Sequence, residues 1–180
     1  MAEKSFIAAD RRHVLTATII HPCVCIIAVS MLFSSCTALP VTDTLGVMTF
    51  NIRYGTAPDG DQVWQNRREC IFGVIRDTSP DIVCLQEALR FQINEIRETF
   101  PQYAEAGVGR DDGKTEGEYV AILYRGGRFA SKFDSTFWFS STPSVPGSKH
   151  WGNNIPRICT FVLLRDEDAD RDLYIYNLHL

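Results

Sequence analysis

Leu45-Gly46-Val47-Met48-Thr49-Phe50-Asn51-Ile52-Arg53 and Pro80-Asp81-Ile82-Val83-Cys84-Leu85-Gln86-Glu87 are the two stretches whose reading decides the fold of this chain. Each is a short apolar run that delivers one polar side chain at its exit, Asn51 in the first and Glu87 in the second. Short apolar runs bounded by turn residues read as buried strands, here Leu45 to Phe50 and Ile82 to Leu85. Between them, Trp64 to Arg76 reads as a helix. Ile71, Val74 and Ile75 form its apolar stripe, while Arg67, Arg68 and Arg76 are left to solvent. Asp77-Thr78-Ser79-Pro80 stops it. The unit is β-α-β and sets an amide beside a carboxylate at one edge of a sheet. Hard cations and phosphate groups are bound by that kind of pair.

Working outward, Tyr54 to Gln62 is a loop rich in turn residues. Phe91 to Phe100 reads as a second helix, with Ile93, Ile96 and Phe100 inward and Pro101 at its end. The remainder is rich in strands: Tyr119 to Tyr124, the aromatic alternating run Phe129 to Phe139, Ile158 to Leu164, and Leu173 to Leu178. Ser140 to Asn154 is a loop. Asp166, Asp168, Asp170 and Asp172 read as a solvated acidic turn. No repeat at solenoid periods is present. Early interleaving of helix and strand followed by a meander predicts a mixed sheet with helices packed on it. The chain stops at His179-Leu180, on a strand exit, which reads as a truncated domain.

The 180 residues are 45% hydrophobic with a net charge of -4, enough apolar material for a folded core and too little positive charge for a broad basic nucleic-acid groove. Six cysteines include no zinc-spaced CxxC pair, and Cys84 in its apolar strand reads as a small hydrophobe. Residues 1–36 differ in kind. Lys4, Arg11, Arg12 and His13 precede an apolar stretch from Val14 to Phe33, and Ser34-Ser35-Cys36 follows. That order reads as an export signal or membrane anchor, and small residues before Cys36 are similar to a bacterial lipoprotein signal. Residues 37–44 would be a tether, and residues 45–180 the domain.

Thr49-Phe50-Asn51-Ile52-Arg53, Pro80 to Glu87, Gly117-Glu118-Tyr119-Val120-Ala121-Ile122-Leu123-Tyr124-Arg125 and Tyr176-Asn177-Leu178-His179-Leu180, in that order, resemble the endonuclease/exonuclease/phosphatase family. That family includes deoxyribonuclease I-like nucleases, sphingomyelinases and inositol-phosphate phosphatases. The resemblance implies an α/β fold, a two-sheet sandwich with helices on the outside, of which residues 45–180 are the N-terminal portion. It implies a divalent cation, Mg2+ or alternatively Mn2+, on Glu87. It implies Asn51 in the metal and phosphate network, and a hydrogen bond to Glu118 that holds His179 to stabilise phosphoryl charge. It also implies a later Asp-x-Asn motif and a terminal Asp-His pair, which do not occur up to Leu180.

Other residues carry weaker expectations. Asn177 shares a strand face with His179 and is read as substrate-binding or as a support for the histidine. Arg110 and Arg157 are cations that can meet a phosphate or serve as surface ion-pair partners. Trp64, Trp138 and Trp151 read as anchors of core and loops, and Arg53 as structural. The expected activity is Mg2+-dependent hydrolysis of a phosphodiester or phosphomonoester by in-line attack of an oriented water. The expected partners are a phosphate ester (nucleic acid, phospholipid head group or small ester) and a membrane reached through the N-terminal segment, with no protein partner. The alternative is a non-catalytic exported binding domain of the same fold. A glycosidase using Glu87 and Glu118 has no further support.

Overall fold

The computed structural model describes residues 44–150 and 152–180. The export signal expected over 1–36, the tether up to residue 43, and Trp151 lie outside the described residues. Among the described residues no helix is long and apolar enough to cross a membrane.

Two sheets face each other. The first has the order β1 (Val47–Asn51), β2 (Ile82–Gln86), β4 (Ile122–Arg125), β3 (Tyr103–Ala106), and the second runs β5 (Phe129–Trp138), β6 (Ile158–Asp166), β7 (Arg171–Leu178). Two helices, α1 (Trp64–Thr78) and α2 (Arg90–Thr99), lie on the first sheet. The mixed sheet expected from the sequence is therefore the first sheet, and the later meander forms a sheet of its own. The two-sheet arrangement is the one that the family resemblance implies.

β2 explains the layering. All five of its residues are buried, because both faces are covered. Val83 and Leu85 pack with Phe72, Ile75, Ile93 and Ile96 of the helices. Ile82 and Cys84 turn the other way, onto Val162 and Leu164 of the second sheet. Each fully buried aliphatic side chain of this kind contributes roughly 1.5–3 kcal/mol. The two-residue period then places Gln86 on the inter-sheet side, with Ile82 and Cys84. Burial pushes the Cys84 thiol up to about 11, so it stays protonated and packs as a hydrophobe.

Sequence missed β3, whose four residues include the charged Glu105. Arg90 at 2.6 Å and Arg97 at 3.1 Å neutralise that carboxylate, which lets it sit in an edge strand. The strand expected over Tyr119 to Tyr124 begins later, at Ile122, and Tyr119 instead makes an isolated bridge to Ala88.

Asp166 corrects the reading of the acidic turn. Asp168, Asp170 and Asp172 are exposed, but Asp166 has the inward parity of Val162 and Leu164 on β6 and is fully buried. Its carboxylate accepts from Arg128 Nε at 3.0 Å and Nη2 at 2.9 Å. Arg128 Nη1 donates to Asp81 Oδ2 at 3.0 Å and to the Thr44 carbonyl at 3.1 Å. One guanidinium thus joins the hairpin of the second sheet to the lower ends of β1 and β2.

Arg128 holds the Asp166 carboxyl below the usual carboxylate range. A depressed folded-state pKa stabilises the fold fully above the unfolded value and ceases to do so as pH falls through the folded one. Asp166→Asn should lower stability at pH 7 by about 2 kcal/mol. In urea melts the gap from the parent should close as pH drops below about 4. Equal stability at pH 7 would show that the pair contributes nothing.

Candidate active site

β1 and β2 are parallel and in register from Val47 opposite Ile82 to Asn51 opposite Gln86. That register sets Asn51 next to Glu87, as the β-α-β reading expects. Asn51 Nδ2 donates to Glu87 Oε1 at 2.9 Å. Asn51 Oδ1 accepts the Arg53 N–H at 2.9 Å, which fixes which end of the amide is oxygen. Asn51 therefore orients the carboxylate while its own oxygen is engaged by the backbone.

Both strand exits carry unusual backbone. Glu87 and Arg53 each have φ of 57°, in the left-handed region that non-glycine residues rarely adopt. Such residues cost on the order of 1 kcal/mol or more and persist where the surroundings over-determine them. Here the surroundings are a set of buried polar clamps. Gln92, at 0% exposure, accepts from Gly55 N at 2.8 Å and Leu89 N at 3.0 Å, and donates to the Arg53 carbonyl at 3.1 Å. Arg67 donates to the carbonyls of Ile52, Arg53 and Gln62. Gly55 has no room for a side chain, since a Cβ would stand 2.4 Å from the Phe91 ring.

Glu118 reaches the same place from the other direction. The Ala88–Tyr119 bridge draws the end of the 107–118 loop against the exit of β2. Glu87, Glu118, Arg110, Arg157 and His179 then line one cleft. His179, just past the end of β7, places Nε2 4.0 Å from Glu87 Oε1.

The partners within the cleft differ from those expected. Glu118 was expected to hold His179. Its carboxylate instead accepts from Arg110 Nη1 at 2.8 Å and Nη2 at 3.2 Å. A planar guanidinium fork matches a carboxylate better than an imidazole does, and the loop folds Arg110 directly onto it. Arg110, expected as a phosphate cation, thus lines the cleft with its charge already matched. Arg157 lines it without an ion pair among the described residues.

Asn177 is corrected as a substrate contact. It is 3% exposed and its amide is engaged on both ends, by Gln86 and by the carbonyls of Leu85 and Ala121. Inward parity on β7 buries it between the sheets. Arg53, expected to be structural, pairs with Asp59 at 2.9 Å and also comes within 3.9 Å of Glu87. Trp64 and Trp138 are the anchors expected of them, donating to Glu95 and to the Arg110 carbonyl. Sequence reasoning overlooked Gln92 and Gln86. A glutamine at the third position of a helix is a recognisable capping signal, so Gln92 was findable. Gln86 offered no local signal.

Glu87 suits a hard cation of the Mg2+ type, which takes one or two carboxylates and completes its octahedron with water and phosphate oxygens. It is the carboxylate of the cleft not taken up by a guanidinium at hydrogen-bond distance, and 18% of its side chain is exposed. Among the described residues, no group of three or more His, Cys, Asp or Glu side chains forms an all-protein cage.

No family model matches the chain. Solved structures do. The mannosyl-6-phosphatase of Bacteroides thetaiotaomicron is 35% identical with a TM-score of 0.73, over 76% of this chain and 52% of its own. An endonuclease/exonuclease/phosphatase family protein of the same organism is 37% identical with a TM-score of 0.72, over 76% and 50%. The CCR4-Not complex 3'-5'-exoribonuclease subunit Ccr4 of Phaeosphaeria nodorum is 30% identical over 167 residues, which are 78% of this chain and 28% of that protein. The chain thus spans about half the length of the two solved structures and less of the exoribonuclease subunit.

Gln92 tests the clamp beneath Glu87. Gln92→Ala leaves the buried Gly55 N–H and the half-buried Leu89 N–H without acceptors and should cost about 2–4 kcal/mol. The amides of Gly55 and Leu89 should gain hydrogen exchange selectively. Unchanged protection at both amides would refute the clamp.

Proposed function

We propose, from the likeness in sequence and fold to endonuclease/exonuclease/phosphatase family proteins, that residues 45–180 carry part of the site of a metal-dependent phosphoesterase of that family. The observation that supports this reading is the convergence of Glu87 and His179, from two separate strand exits, on one cleft that also holds Arg157, a cation without an ion pair among the described residues, with Asn51 at a third exit donating to Glu87. Phosphatases and nucleases among the similar proteins support hydrolysis of a phosphate ester as the general chemistry.

The roles follow from the geometry. Glu87 would hold Mg2+ or Mn2+, which when bound supplies Lewis-acid polarisation of a phosphoryl oxygen. Asn51 keeps the carboxylate turned toward the cleft. Arg157 offers an open guanidinium to phosphate oxygens. His179 can donate from Nε2 to an oxygen on which charge builds in the transition state. Arg110 and Glu118 neutralise each other and wall the cleft. Positioning and electrostatics of this kind account for most of the acceleration in phosphoryl transfer. The proposed substrate is a nucleic acid, a phospholipid head group or a small phosphate ester. The proposed location is outside the cytoplasm, from the basic flank, apolar stretch and Ser34-Ser35-Cys36 order of residues 1–36.

Hydrolysis of p-nitrophenyl phosphate and bis-p-nitrophenyl phosphate should depend on Mg2+ or Mn2+ and cease with EDTA. It should be measured for the 180-residue chain and for any longer product of its reading frame. Glu87→Gln should lower the rate at least 100-fold, on the scale of a lost transition-state contact of about 3 kcal/mol. Metal-dependent turnover that survives Glu87→Gln would sink the assignment. No turnover by any product would favour the binding-domain reading.

Export has a separate check. Labelled fatty acid should enter the protein in its native host and be lost in Cys36→Ser. Labelling that persists in the variant would exclude Cys36 as the lipid attachment point.

A further inference from the structure

We infer that Asn177 is a positioning residue which, with Gln86, sets the gap across which Glu87 and His179 face each other. Its purpose rests on the phosphoesterase reading, but its geometry does not. Asn177 Nδ2 donates to the Leu85 carbonyl at 2.7 Å and to the Ala121 carbonyl at 2.9 Å, and Oδ1 accepts from Gln86 Nε2 at 2.7 Å. Gln86 Nε2 also lies 3.2 Å from Thr49 Oγ1 and 3.1 Å from the Cys84 carbonyl. One amide therefore ties β7 of the second sheet to β2 and to Ala121, the residue before β4, and through Gln86 to β1.

The members of this network stand directly behind the groups that converge in the cleft. Thr49 is two residues before Asn51, Gln86 one before Glu87, and Asn177 two before His179. Between this network and the Arg128 ion pairs at the far end, the contact between the sheets is apolar, made by residues such as Ile82, Cys84, Ile122, Val162 and Leu164. Apolar burial is non-directional and tolerates small slides of one sheet on the other. Hydrogen bonds of fixed length and direction do not, and a buried amide of this type is a well-attested way of specifying one register.

His179 needs such a tether. It follows the last residue of β7, whose pairing with β6 ends at Leu178 opposite Cys159. No hydrogen bond among the described residues holds its ring, which lies 4.0 Å from Glu87. Its position is therefore inherited from the backbone, and Asn177 is where that backbone is last fastened to the opposite sheet.

The test separates positioning from plain stability. Asn177→Leu removes both donors at similar volume, and Asn177→Ser is a milder change should the leucine form fail to fold. The double variant Gln86→Leu/Asn177→Leu removes both partners. It should regain most of the melting temperature lost by Asn177→Leu, because no unmatched amide remains on Gln86. The second readout is the Cε1–H cross-peak of the His179 ring in metal-free protein, which requires neither turnover nor metal. That cross-peak should move by more than its linewidth in all three variants and stay displaced in the double variant. A cross-peak that does not move, or that returns with stability in the double variant, would overturn the inference and leave Asn177 merely structural. Absence of metal-dependent hydrolysis in the parent protein would count against the phosphoesterase reading alone.

Discussion

The parallel pairing of β1 with β2, with Asn51 opposite Gln86, is the constraint on which the remainder of the structure depends. β2 is covered by helices on one face and by the second sheet on the other, so it has no freedom to shift by one residue without exchanging its two apolar faces. Once that register is set, the strand exits are set. Asn51 must lie beside Glu87, and the chain turns just beyond Asn51 and at Glu87 itself. The left-handed backbone at Arg53 and Glu87 is where that turn is made. Gln92 and Arg67 hold it there, by hydrogen bonds to the backbone of Gly55, Leu89 and Arg53.

The second sheet brings its own polar cargo to the same end of the molecule. Its inner face is apolar along most of β6 and becomes polar toward the cleft, at Thr160 and Asn177. Polarity placed there does two things. It gives the carbonyls of Leu85 and Ala121 a donor from the second sheet, and it sets the sheets at one mutual position. At the opposite end Arg128, Asp166 and Asp81 form a charged fastening of the same kind. The apolar middle supplies the driving force for packing, and the polar ends supply its specificity.

The chemistry of the cleft follows from which charges are already matched. Glu118 and Arg110 neutralise each other in a fork geometry, and Glu105 is similarly occupied by Arg90 and Arg97. Glu87, with Arg53 no closer than 3.9 Å, and Arg157 are the charges of the cleft without an ion-pair partner at hydrogen-bond distance among the described residues. Under the proposed function, a metal on Glu87 and a phosphate on Arg157 would be their ligands. This division of labour between matched and unmatched charge could not be counted from composition, where all of these residues look alike.

The sequence by itself determined the strands β1 and β2, the two helices on them, and Asn51 and Glu87 as the polar groups at their exits. Those features rest on local periodicity and on neighbours in the chain, which a sequence displays directly. His179 and Glu118 were legible as members of ordered motifs, but not their partners. Only the tertiary structure decided that Arg110 takes Glu118, that Glu87 is the carboxylate near His179, and that Asn177 is enclosed between sheets. The same holds for Asp166, whose burial depends on β6 extending to that residue, and for β3, whose charged Glu105 needs two arginines from α2. The physical reason is common to all of these. A hydrogen bond or ion pair is chosen by distance and direction in space, and loop closure brings together residues whose separation along the chain says nothing about which of several partners will arrive first and fit best.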